Sequence, residues 1–136
     1  MSYCTVDDLR LLLPEDELIE LSDDGGVGVL DESVVARAIE EAAREVDGYV
    51  GLVRTVPIPE GEVPGLVRDI TARLAIYHLF RRRALRLEQI PEVWQKEREQ
   101  ALRTLERIAR GQLKLTHTDT EEQPANLFKP VTIGRA

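Results

Sequence analysis

Val35, Ile39, Ala42, Val46 and Tyr49 recur at alternating spacings of four and three residues, which places all five on one face of an α-helix. Asp31 stands just before them as an N-cap, and the expected helix runs to about Gly51. Its other face carries Arg37, Glu40, Glu41, Arg44 and Asp47, a surface for solvent or a partner. Ala38, Ala42 and Ala43 allow a second helix to approach closely, while Gly48 and Gly51 weaken the last turns. A helix this long with a single apolar stripe cannot bury itself, so the rest of the chain has to supply helices to cover it.

Those helices are legible on both sides. Thr5 reads as an N-cap with Asp7 and Asp8 in the first turn, Leu9, Leu12 and Leu13 form the stripe, and Pro14 interrupts it. A short helical turn over Glu15 to Leu21 turns Leu18, Ile19 and Leu21 inward, and Ser22 to Gly26 is a turn. From Val53 to Pro64 the prolines 57, 59 and 64 impose an extended loop. A third major helix is expected from about Gly65 to Leu87, burying Val67, Ile70, Leu74 and Tyr77. A fourth starts at Pro91, stops at the C′ glycine Gly111, and turns Trp94, Ala101, Leu105 and Ile108 to the core. The fold class is therefore all-α: a small antiparallel bundle of four to five helices over residues 1–115, with a proline-rich inter-helix loop and an extended C-terminal tail over 116–136.

The chain has 136 residues, enough for one domain, and its hydrophobic fraction of 43% is that of a folded protein. A single cysteine, Cys4, excludes an internal disulfide and the multi-cysteine zinc patterns. The N-terminus has no basic region followed by an apolar one, and the longest apolar runs fall far short of a membrane span, so synthesis in the cytoplasm and no membrane contact are expected. The formal charge of −7 is unevenly spread: residues 1–60 carry 15 acidic and 4 basic side chains, residues 61–136 carry 10 and 14. Such polarity suits either packing of one half on the other or head-to-tail contact between subunits, and overall acidity disfavours nonspecific duplex binding.

Residues with the potential for chemistry form no centre. The acidic stretch from Asp23 to Glu32 lacks the ligand spacing of a calcium loop, and the glycines 25, 26 and 28 lack the Lys-Ser/Thr continuation of a phosphate loop. His78 and His117 sit far apart, and Glu40 and Glu41 are adjacent on a helix and point in different directions. No catalytic, cofactor or metal residue is expected, and the protein reads as non-enzymatic. The unusual feature is Arg81-Arg82-Arg83, with Arg86 one turn on. As a solvated helix end its cations suit the negative dipole end; as a site it would meet an acidic protein partner or nucleic-acid phosphates. Helical spacing spreads the three over most of the circumference, and no recognition motif accompanies them, which favours the helix end or a protein contact over DNA. The polar stretch 116–124 then leads to apolar anchors at Leu127, Phe128, Val131 and Ile133, which suit docking on a neighbouring subunit more than folding back.

Several stretches in order resemble a family of small proteins encoded in the virion morphogenesis cluster of Mu-like phages and prophages. They are Leu13 to Leu18 with Asp23-Asp24, the Asp31 helix ending Asp47-Gly48-Tyr49, the Pro57/Pro64 loop, Leu74 to Arg83, and Ala101-Leu102 through Gly111. The resemblance covers roughly residues 3–115. Thr55 and Val56 stand where many relatives carry an aromatic before the loop prolines. The resemblance implies a virion structural protein similar to the adaptor subunits that join a tailed-phage head to its tail. Such a subunit would form a homo-oligomeric ring, contact portal and tail-completion proteins, and meet DNA at most as it passes through the ring lumen. Subunit contacts are expected at Arg81, Arg82, Arg83, Arg86, Leu127, Phe128, Val131 and Ile133. The alternative is a small DNA-associated or regulatory phage protein that uses the Arg81–Arg83 cluster.

Overall fold

The structure is a computed structural model that describes residues 2–115. Among them are five α-helices: α1 (Val6–Arg10), α2 (Glu15–Ser22), α3 (Glu32–Val50), α4 (Gly65–Arg83) and α5 (Glu92–Ala109), with a 3-10 turn at Leu87–Gln89 and no strand. The all-α bundle expected from periodicity is the observed architecture. The expected tail, 116–136, lies outside the described residues.

Local chemistry sets the helix starts. The Asp31 carboxylate accepts from the amides of Ser33 and Val34, satisfying two of the donors that open α3. At α1 the Asp8 carboxylate reaches back to the Thr5 amide at 2.8 Å. Pro14, Pro64 and Pro91 directly precede α2, α4 and α5. At the end of α5, Gly111 adopts φ +77°, and the Gln112 and Gly111 amides close onto the Arg107 and Ile108 carbonyls.

The apolar stripes meet around α4, which packs on all four other helices. Leu9, Leu18, Val35, Ile39, Val46, Ile70, Leu74, Leu105 and Ile108 are buried as expected, joined by Leu66, Ile76 and Leu79. α4 runs antiparallel to α3, so that His78 and Arg82 lie beside Val34 to Glu41, and antiparallel to α5, so that Arg73 meets Glu97 while Phe80 meets Trp94. The proline loop is fixed by a residue with no periodicity to announce it. The buried Tyr3 hydroxyl donates to Asp47 at 2.5 Å and accepts from the Ile58 amide at 2.8 Å. Burial and the Asp47 bond push this phenol up to about 12.

Four expectations need correction. Tyr77 is half-buried, because the Arg98 guanidinium lies over its ring at 4.7 Å and needs the open side. Trp94 is also half-buried, in the wall of a groove. Asp47 leaves the solvent face of α3 to accept the Tyr3 bond. α4 stops at Arg83, four residues before the expected end: Ala84 turns extended, and the Gln89 side chain accepts from the Leu85 and Arg86 amides. Arg86 is therefore on the connection to α5, one residue before the 3-10 turn.

Candidate functional site

Some charged side chains are tied between helices and others are left exposed on the surface. In the middle, Glu45 of α3 accepts from Arg98 of α5 at 2.7 and 3.1 Å and pairs with His78 of α4 at 2.9 Å. Burial works against the Glu45 charge, but the His78 and Arg98 bonds outweigh it and hold the carboxyl at about 2. Arg73 joins Asp69 and Glu97 in the same way across α4 and α5. The Glu45 pairs link the acidic first half of the sequence to its basic second half, so part of the charge polarity serves internal packing.

The arginine triplet follows the same logic. Arg82 donates in a fork to both Asp24 oxygens at 2.7 and 3.1 Å and to the Leu21 carbonyl, and Arg83 meets Asp24 at 3.1 Å. The Arg82 bond holds the Asp24 carboxyl below its usual range. Two arginines thus clamp the α2–α3 turn. Arg81 and Arg86 are exposed and form no ion pair among the described residues. Leu127, Phe128, Val131 and Ile133 lie outside the described residues.

Two sets of exposed charge lie toward opposite ends of α5, while Arg37, Glu40 and Arg44 of α3, Arg68 and Arg81 of α4, and Arg86 are also exposed and in no ion pair among the described residues. α2 presents Asp16, Glu17 and Glu20, exposed and in no ion pair among the described residues. α5 presents Arg103, Arg107 and Arg110 at spacings of four and three, with Lys114 just beyond, likewise exposed and unpaired, and with Glu99 and Glu106 on the flank. α2 packs beside the start of α5, where Glu17 and Glu20 share a groove with Val93 and Trp94. The cations lie in the second half of an 18-residue helix, from about 17 to about 27 Å from its start. Sequence reasoning missed the basic end because the Arg81–Arg83 run is denser; the signal was the helical spacing of 103, 107 and 110.

The groove has a volume of about 500 Å³. Leu12, Pro14, Phe80, Val93 and Trp94 give it apolar walls, and Glu17 and Glu20 line one side. Val93 is 58% exposed, and the nearby α1–α2 link leaves Leu11 83% exposed. Loop side chains Val27, Leu52 and Leu85 are also exposed, but each lies outside the groove.

Four helices wrapped on a central one, tied by ion pairs between helices and carrying exposed charge on their outer faces, define a small all-helical protein. The sequence pattern of the bacteriophage Mu Gp36 family matches residues 3–130, and the chain belongs to that family. It is a Mu-like phage protein. No curated protein matches it. None of the described helices is long and apolar enough to cross a membrane.

Proposed function

We propose that this protein is a non-enzymatic head-to-tail connector subunit of the virion, assembling into a ring between portal and tail. The observation that supports it is a pair of opposite surfaces: Asp16, Glu17 and Glu20 on α2 and Arg103, Arg107 and Arg110 at the end of α5, all exposed and in no ion pair among the described residues. A ring needs a heterologous contact in which one surface meets a different surface of the next copy. These opposite charges provide such a pair, steering the approach and disfavouring acid-on-acid or base-on-base encounters. Membership of a Mu-like phage family fits a virion location, with the portal and tail-completion proteins as neighbours.

Exposed cations at the end of α5 also carry a second reading, contact with the phosphates of DNA. Sedimentation and negative-stain imaging of the purified protein test the first; salt-dependent retention on duplex DNA tests the second. The ring reading expects closed assemblies at low salt that loosen as salt rises, with no more DNA retention than an acidic protein of this charge shows. A monomer at every concentration and salt, retained on DNA through Arg103, Arg107 and Arg110, would overturn it.

A further inference from the structure

We infer that the groove between α2, α4 and the start of α5 receives the C-terminal segment Leu127–Ile133 of a neighbouring copy. The inference rests on the end-to-end contact proposed above. Its first support is complementarity. The groove is apolar with Glu17 and Glu20 on one side. The segment Leu127-Phe128-Lys129-Pro130-Val131-Thr132-Ile133 is apolar with Lys129 inside and Arg135 just after, and residues 125–136 contain no acidic side chain. An aromatic anchor in an apolar pocket, with cations over carboxylates at the rim, is how short extended segments are held.

Chain length supplies the second support and favours the neighbour over the same copy. The described chain ends at Leu115, just past the basic end of α5, whereas the groove opens at the start of that helix, about 27 Å back. Twelve residues carry the chain from Leu115 to Leu127. A random coil of that length has a root-mean-square span of about 17–21 Å, so its own groove is reached only by stretching toward the extended limit of about 40 Å. In an end-to-end contact the acidic end of the next copy, groove included, lies against the point where the linker begins. The linker then has little distance to cover, and the same contact that joins the charged ends brings segment and groove together.

Trp94 is the single tryptophan of the chain and stands in the groove wall, so its emission reports occupancy. Two full-length variants separate donor from acceptor. Phe128→Ala keeps Trp94 and loses the anchor; Trp94→Phe keeps the segment and is silent. Adding the Trp94→Phe protein to the Phe128→Ala protein is expected to shift Trp94 emission to the blue, with saturation. Glu17→Lys with Glu20→Lys in the acceptor should weaken the apparent affinity about threefold to tenfold. If mixing leaves Trp94 unchanged while wild type differs from Phe128→Ala at every dilution, the segment occupies its own groove and the inference fails. If wild type and Phe128→Ala emit alike and mixing changes nothing, the groove does not receive the segment at all. Sedimentation of the same samples keeps the two proposals apart. Assembled Phe128→Ala with a silent Trp94 overturns the docking and leaves the ring, whereas monomers throughout overturn both.

Discussion

The paired charges between helices and the exposed charges of α2 and the end of α5 behave in opposite ways. Glu45, His78 and Arg98 tie three helices together from partly buried positions, and Arg73 ties Asp69 to Glu97 beside them. On α2 and at the end of α5, residues of the same types stand exposed without partners among the described residues. Partly shielded pairs contribute to stability, because removing one partner leaves the other poorly solvated. Exposed single charges contribute little to folding and are available to steer an encounter. The difference makes the paired charges part of the fold and leaves the exposed ones to the contact proposed above.

The largest expected effect sits beneath both regions. Leu74 is wholly buried at the centre of α4, and Leu74→Ala should cost about 2–5 kcal/mol in denaturant unfolding. A cost under about 1 kcal/mol would show that α4 is not the hub. In the charged middle, Arg98→Ala should cost about 1–3 kcal/mol, since it removes the fork on Glu45 and uncovers the Tyr77 ring. An unchanged midpoint would put the middle charges in the same class as those at the ends.

Acid should reveal the same pair. The Glu45 carboxyl is held at about 2 in the folded state, below its ordinary 4.5, so its contribution is fully present above about pH 4.5. It fades as pH falls from there toward 2. About 1–2 kcal/mol should be lost across that window, less than the full linkage value because Glu45 is partly solvated. Glu45→Gln should be less stable at pH 7 and flatter in that window, as measured by thermal unfolding at a series of pH values. A mutant as steep as wild type would place the acid sensitivity elsewhere. At the ends, Arg103→Glu, Arg107→Glu and Arg110→Glu together should move stability by no more than about 0.5 kcal/mol each.

Helix positions were legible wherever the sequence carried both a period and a stop. α3 has Asp31 as its cap and stripe residues at steps of four and three, and it was found to within a residue or two. α4 was read too long because Ala84, Leu85 and Leu87 continue an apolar text, although Leu85 is 89% exposed and the Gln89 side chain has replaced the helix as acceptor. Half-burial defeated pattern reading at Tyr77 and Trp94, where one face of the ring packs and the other meets a cation or a groove. The partners of Glu45 lie 33 and 53 residues away, so locally it resembles any solvated glutamate. The Arg81–Arg83 run stood out in the sequence, yet which of its members face Asp24 depends on how α4 meets the α2–α3 turn, a tertiary fact. The groove likewise needs three helices to exist.

Sedimentation velocity of a charge-swapped pair tests the assignment of the ends most directly. One variant carries Arg103→Glu, Arg107→Glu and Arg110→Glu; the other carries Asp16→Lys, Glu17→Lys and Glu20→Lys. Each alone presents like charge at both ends and should sediment as a monomer at concentrations where wild type assembles. Mixed in equal amounts, each offers the end the other lacks, and assembly should return. Either variant sedimenting like wild type by itself, or a mixture that stays monomeric beside an assembled wild type, would contradict the claim that the exposed end charges join one copy to the next.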